Sequence, residues 1–326
     1  MSSPKSAADV AFTGVDSGQH VLTVGNFDGV HLGHRHLLDQ VIEVASQRAV
    51  RSMVVTFEPH PIAVLRPEHA PPRLATPSSK VDLLRQAGIE DVVVLPFDRN
   101  FASLTADEFV EMLVTYCRPT DVLVGEGFRF GKHRSGDTES LQASGREHGF
   151  RVQVVPPFMD SIGVVSSSRI RTALQSGNTG DAAGLLGRRF RLRGAVEHGM
   201  ARGRDLGYPT ANLAIPGELC VPADGIYAGY AHLDDPVGNA REALIYIGTS
   251  PTFGDRERVV EVNILDYRGD LYSQELEIEF LAFIRPDMIF DSSDALMHQM
   301  TQDEAAARTV LEGSQPEQSM KGNDAR

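Results

Sequence analysis

The residues best suited to chemistry sit just after a strand-like run, His20 to Val24, in the string Gly25-Asn26-Phe27-Asp28-Gly29-Val30-His31-Leu32-Gly33-His34 that opens a helix-like segment. Gly25 and Gly29 let the backbone turn tightly, and Gly33 removes a side chain where a nucleotide could approach. His31 and His34 fall three apart, on one face of the helix. The helix N-terminus adds a field that favours anions. Together these features predict a phosphate site, with paired imidazoles donating hydrogen bonds to charge developing on a phosphoryl group. A metal pair is the competing reading of the two histidines. It wants a third ligand, and the helical HExxH spacing is absent. His36, in the same run, fits neither pattern and is expected on the solvent side of the helix. A second string, Val165-Ser166-Ser167-Ser168-Arg169-Ile170-Arg171, places hydroxyls at a helix start, where they cap it and can bond a phosphate, with an Arg one turn later as a forked cation. A triple serine alone is often only an N-cap, so its weight comes from the histidine motif.

The second half carries Gly199-Met200-Ala201-Arg202-Gly203-Arg204-Asp205-Leu206-Gly207-Tyr208-Pro209-Thr210-Ala211-Asn212. Its glycines and arginine suit the wrapping of nucleotide phosphates. Thr210 and Asn212, two apart on an extended stretch, point to the same side. A hydroxyl and an amide carbonyl are hard oxygen ligands that suit a magnesium ion bridging ATP phosphates. Taken alone, Pro-Thr-Ala-Asn is just a turn leading into a strand. A general base is also wanted. Glu257, Glu261, Glu275 and Glu277 all lie on alternating stretches, and spacing does not separate them, because such strands normally show carboxylates to solvent.

The elements that must position these residues fall into two rhythms. From His20 to Val155, β-like runs alternate with helix-like stretches, among them Leu32 to Gln47, Ala106 to Tyr116 and Thr138 to His148. That alternation predicts an α/β domain with a parallel sheet, whose ligands bind beyond the carboxyl ends of the strands. A helical segment from Ser168 to Leu186 breaks at Ser176-Gly177-Asn178. Short alternating runs separated by Gly and Pro turns then predict an antiparallel β-barrel closed by a helix over Ser293 to Leu311. The expected division is 1–184, 185–312 and a disordered tail, 313–326, which fits a length of 326 residues.

Bulk properties narrow the function classes. The net charge of -13 disfavours sequence-independent binding to nucleic acid. No apolar run approaches the roughly 18 residues that would cross a bilayer. Met1 to Ser17 lacks the basic start and apolar stretch of a signal peptide, so the expected location is cytoplasmic. Cys117 and Cys220 stand far apart and are expected as buried small hydrophobes.

The paired histidine and serine motifs resemble the nucleotidylyltransferase superfamily. Gly25 to His34, Phe57-Glu58-Pro59-His60-Pro61, Gly125 to Gly131 and Ser166 to Arg171 together resemble the FMN adenylyltransferase module of prokaryotic FAD synthetases. The resemblance implies a Rossmann-like fold with His31 and His34 as catalytic groups. It also implies ATP contacts from Gly25, Phe27, Asp28, Gly33, Ser166, Ser167 and Arg171, and flavin contacts from Phe57, Pro59 and Phe128. One position departs: Gly127 stands where that family usually has Asn or Asp, which leads us to expect weak adenylyltransferase activity. The second half resembles riboflavin kinase through Gly199 to Asn212, Pro222 to Gly229, Ile247 to Phe253 and Val260 to Asp266. That resemblance implies ATP contacts from Gly199, Arg202 and Gly203, magnesium at Thr210 and Asn212, and Glu261 as the base. Ser250, where many relatives carry Asn or Arg, is read as tolerated variation. In this order the two halves resemble the prokaryotic bifunctional riboflavin kinase/FMN adenylyltransferase family, which implies riboflavin, FMN and ATP as small-molecule substrates. The alternative is a riboflavin kinase whose first domain is a weakened or regulatory flavin- or nucleotide-binding module. The sequence leaves the oligomeric state open.

Overall fold

A computed structural model describes residue 12 and residues 16–197, 208–233, 240–250 and 257–317, without the side chains of Ser250 and Glu257. Two compact units part after Ser166.

The first unit is a five-stranded sheet ordered β3-β2-β1-β4-β5 with every pair parallel. Its strands are β1 (His20–Val24), β2 (Arg51–Glu58), β3 (Asp91–Pro96), β4 (Pro119–Gly125) and β5 (Arg151–Val155). The helices are α1 (Leu32–Arg48), α2 (Pro61–Leu65), α3 (Pro77–Gln86), α4 (Ala106–Cys117) and α5 (Thr138–His148). Central strands rich in Val and Leu are buried on both faces, as parallel sheets require. On one face Leu22, Val24, Met53 and Val55 pack with Phe109 and Leu113 of α4. On the other, Val21 and Val54 pack with Leu38 and Val41 of α1. Local chemistry fixes the helix ends. Thr105 and Glu108 form a reciprocal capping box at α4, and α5 stops at Gly149, whose φ is 81°. Cys117 is buried in this core, and burial pushes its thiol up to about 12.

The second unit opens with α6 (Ser167–Gln175) and α7 (Thr179–Leu186), followed by a closed barrel ordered β10-β7-β6-β11-β8-β9. Its strands are β6 (Phe190–Glu197), β7 (Ala211–Ala214), β8 (Gly225–His232), β9 (Ala240–Ser250), β10 (Glu257–Ile264) and β11 (Glu275–Arg285). The helix α8 (Ser293–Leu311) is capped by the Ser292 hydroxyl and buries Ala307 and Leu311 against Ala228, Tyr230 and Leu244. The unit division lies upstream of the expected boundary at 184/185, because α6 and α7 bond to the barrel. Leu174 O accepts Ala223 N–H at 2.9 Å, and Thr179 Oγ1 donates to Leu281 O at 3.3 Å.

The chain after Gly313, expected to be disordered, is held to the barrel as far as Glu317. Arg189 donates to Gln315 O and Ser314 Oγ, each at 2.7 Å, and its own N–H donates to Glu317 Oε1 at 3.0 Å. This strap covers Glu279, which is fully buried and bonded to Arg189, Arg191 and His232. Burial alone would favour the neutral acid. The hydrogen bonds from His232 and Arg189 and the charge of Arg191 outweigh it and hold the Glu279 pKa down to about 2.

Two candidate phosphoryl-transfer sites

The loop between β1 and α1 makes an abrupt turn. Phe27, Gly29 and Val30 all take left-handed φ values, 49°, 79° and 39°, and the turn closes where Val30 N–H bonds Phe27 O at 3.2 Å. Such strain in two non-glycine residues persists only where packing imposes it. Here Phe27 and Val30 are buried in the core, and the buried Asp28 accepts Leu74 N–H at 2.9 Å. Asp28 thereby ties the loop to the segment before α3.

His31 caps α1: its Nδ1 accepts His34 N–H at 3.2 Å. With Nδ1 acting as acceptor, a neutral His31 carries its proton on Nε2 and presents that atom as a donor. The two imidazoles stack at 3.7 Å between centroids and 15° between planes, and Phe27 meets His34 edge-on at 5.1 Å. A Cβ at Gly33 would lie 2.9 Å from Val165 O and 3.0 Å from the His31 ring, so close packing at this point itself requires glycine. The same contact brings the residue preceding Ser166 against the start of α1. Ser166 closes the first unit, while Ser167 and Arg171 stand on α6, grouped with the barrel. His36 is half-buried rather than solvent-facing, its ring 5.7 Å from Phe158.

Phe57 and Phe128 join one aromatic series on the opposite face of the sheet from α1. Phe57 contacts Phe101 at 5.7 Å, Phe101 contacts Phe109, Phe109 contacts Phe130, and Phe130 stacks on Phe128 at 5.5 Å. Pro59 is exposed beside them, and Gly127 has φ 76° with no atom within 4 Å of where a Cβ would stand. Beneath Phe57 lies an ion cluster that sequence reasoning missed. Buried Lys80 bonds Glu58 at 2.6 Å and Phe57 O at 2.9 Å, and Arg73 also bonds Glu58. Burial lowers the Lys80 pKa, with Glu58 partly opposing it. The available signal was Lys80 standing three and four residues before Leu83 and Leu84 on the apolar face of α3.

In the barrel, Gly199, Arg202 and Gly203 lie outside the described residues. Thr210, Asn212 and Glu261 are brought together. Thr210 Oγ1 donates to Glu261 Oε2 at 3.2 Å, and Asn212 is the registered neighbour of Glu261 across β7 and β10. The Thr210 hydroxyl and the Asn212 carbonyl are hard oxygen donors that fit a divalent cation, with the Glu261 carboxylate beside them. A cavity of about 550 Å³ adjoins this point, lined by Pro209, Thr210, Tyr267, Arg268 and Tyr272 among others. Glu275 and Glu277 are engaged elsewhere, in ion pairs with Arg193 and Arg191.

A parallel sheet with histidines at its first helix start, followed by a barrel that gathers hydroxyl, amide and carboxylate, defines a two-module phosphoryl- and nucleotidyl-transfer enzyme. The family model for FAD synthetase matches residues 15–169 and that for riboflavin kinase residues 186–311. The bifunctional riboflavin kinase/FMN adenylyltransferase of Escherichia coli K12 is 37% identical over 300 residues, 91% of this chain and 94% of its own length. The protein of the same description from Pseudomonas fluorescens is 39% identical over 299 residues, 89% and 92% of the two chains. A crystal structure described as a macrolide-efflux protein from Streptococcus pneumoniae superposes with a TM-score of 0.82 at 33% identity, covering 91% of this chain and 96% of that one. The chain belongs to the bifunctional riboflavin kinase/FMN adenylyltransferase family, with FAD synthetase in its first half and riboflavin kinase in its second. Among the described residues no helix is long and apolar enough to cross a membrane.

Proposed function

We propose that riboflavin phosphorylation runs on Glu261, with Thr210 and Asn212 holding magnesium, and that FMN adenylylation runs on His31 and His34. The observation that carries the kinase assignment is the meeting of Thr210, Asn212 and Glu261 on adjacent strands. Magnesium bound by the Thr210 hydroxyl and Asn212 carbonyl would neutralise phosphate charge on ATP. The Glu261 carboxylate takes the proton of the terminal ribityl hydroxyl as its oxygen attacks the γ-phosphorus. The new O–P bond forms, the bond to the β-phosphate oxygen breaks, and ADP leaves. Gly199, Arg202 and Gly203 complete the grip on ATP.

For adenylylation the nucleophile is an FMN phosphate oxygen, already ionised at neutral pH, so no strong protein base is needed. That oxygen attacks the α-phosphorus of ATP, the α–β bond breaks, and pyrophosphate departs with the charge. His31, donating from Nε2, and His34 stabilise that charge. Ser166, Ser167, Arg171 and the Gly25–Asp28 loop bind the phosphates, and Phe57, Pro59 and Phe128 receive the flavin. The stacked histidines at the start of α1 and the joined aromatic series support these roles. We assign the substrates as riboflavin, FMN and ATP, exclude nucleic acid as a partner on the net charge of -13, and place the protein in the cytoplasm. The functional division we assign is 1–184 and 185–312. The test is product analysis after incubation with riboflavin, ATP and magnesium for the Glu261→Gln chain. Loss of FMN supports the assignment, and retained FMN formation removes Glu261 as base.

A further inference from the structure

The barrel register sets a row of side chains on one face. Reading across the strands, Glu197 pairs with Asn212, Asn212 with Glu261, Glu261 with Tyr246, and Tyr246 with Ile226. Registered antiparallel neighbours share a face, and these five lie opposite the buried residues Leu213, Val260 and Ile247 of the barrel interior. Strands stand about 4.8 Å apart, so the backbones of Asn212 and Tyr246 are separated by about 10 Å with Glu261 midway. Resting on the roles assigned above, this row has a direction. With the transferred phosphate held at the Thr210 and Asn212 end, the alcohol attacks phosphorus from the face opposite the leaving ADP, and the row leaves the Tyr246 side of Glu261 for the chain that carries that alcohol.

We propose that Tyr246 is the residue that positions the ribityl chain of riboflavin, reading one of its internal hydroxyls, with Asp287 orienting the phenol. Tyr246 is half-buried and its hydroxyl donates to Asp287 Oδ2 at 3.3 Å. Its ring leans along β9 over Gly248, where a Cβ would collide with the phenol oxygen, so the missing side chain at 248 gives the ring its place. Burial first, then the Asp287 and Glu261 carboxylates, push the phenol up to about 12, so it stays protonated and keeps oxygen lone pairs for a substrate hydroxyl. A polyol is the acceptor chemistry this fits, because its next hydroxyls follow the reacting oxygen across one strand spacing. Beyond Tyr246 the row passes to the apolar Ile226, which suits the ring system to which a ribityl chain is joined, and then to Arg285 of β11, whose guanidinium is held by Asp303.

The experiment is steady-state kinase kinetics on the full chain, comparing wild type with Tyr246→Phe, with riboflavin and with analogues lacking single ribityl hydroxyls. The expected result for Tyr246→Phe is a riboflavin KM raised roughly five- to tenfold, the size of one neutral hydrogen bond, with kcat and the ATP KM within about twofold. One analogue should erase the difference between the two proteins, identifying the hydroxyl concerned. Asp287→Asn, which keeps an accepting carbonyl, should fall between them. A riboflavin KM unchanged in Tyr246→Phe overturns the inference. So does an ATP KM that rises in step with it, or equal losses for every analogue. Glu261→Gln measured alongside separates the two levels. If it keeps kinase activity, the base assignment fails, and if it loses activity while Tyr246→Phe is unchanged, only the role of Tyr246 fails.

Discussion

Gly127→Asn restores the polar side chain that the FMN adenylyltransferase module usually carries at this point, and the backbone there sets what it costs. Gly127 has φ 76°, in the left-handed region, and no heavy atom lies within 4 Å of a Cβ built on it, so the added side chain meets no clash. An L residue in that region costs about 1–2 kcal/mol, less for Asn, which bonds locally. Losing glycine's freedom in the unfolded chain returns about 0.4–1 kcal/mol. The balance is within about 1 kcal/mol, a Tm shift of a few degrees at most. An amide hydrogen bond to ATP or FMN contributes about 1–3 kcal/mol, one to two powers of ten in kcat/KM. The assay is chromatographic measurement of FAD formed from FMN and ATP, with FMN formation from riboflavin as the internal control. Gly127→Ala carries the backbone cost without the amide. We expect Asn to raise adenylylation, Ala to lower or leave it, and the kinase to hold in both. If Asn gives no gain, or if Ala gains as much as Asn, the missing amide is not what limits this site. In that case the exposed Glu126 next door or a backbone group already supplies the contact.

Glu261→Gln should lower FMN formation at least a hundredfold, because an amide accepts no proton, while FAD synthesis from supplied FMN stays near its starting rate; a matched loss in both assays would refute separate modules. The His31→Ala, His34→Ala double variant should show the reverse, since each lost donor commonly costs on the order of a hundredfold to a thousandfold in rate. Adenylylation surviving within a few-fold would make those histidines structural. Glu279 should contribute acid-sensitive stability. Its carboxyl is held down to about 2 in the folded chain against an ordinary value of 4.5, so the contribution is complete above about pH 4.5 and lost as pH falls toward 2. Glu279→Gln leaves Arg189 and Arg191 without their shared carboxylate and should cost about 3–5 kcal/mol at neutral pH, removing that part of the acid dependence in thermal melts.

What could be read directly from the sequence was what local chemistry decides. The strand at His20–Val24, the helices at Thr138–His148 and Ser293–Leu311, and the break between α6 and α7 follow from short-range periodicity, caps and glycines, and they fall where that reasoning placed them. The motif strings, and through them the family, are equally local. Other features were settled by segments far away in the chain. Glu261, Glu275 and Glu277 look alike on alternating strands. Only the pairing of β10 with β7, which sets Glu261 against Thr210 across 51 residues, separates it from two carboxylates engaged by arginines of β6. Lys80 reads as an ordinary helix lysine until Glu58 and the Phe57 carbonyl close over it. The segment after Gly313 is polar enough to read as disordered, and the bonds that hold Ser314 and Gln315 to the barrel come from Arg189, 125 residues earlier than Ser314. Periodicity reports which face of an element is apolar. Which polar groups then become neighbours depends on strand register and burial, and those are fixed only when the barrel closes and the sheet is covered.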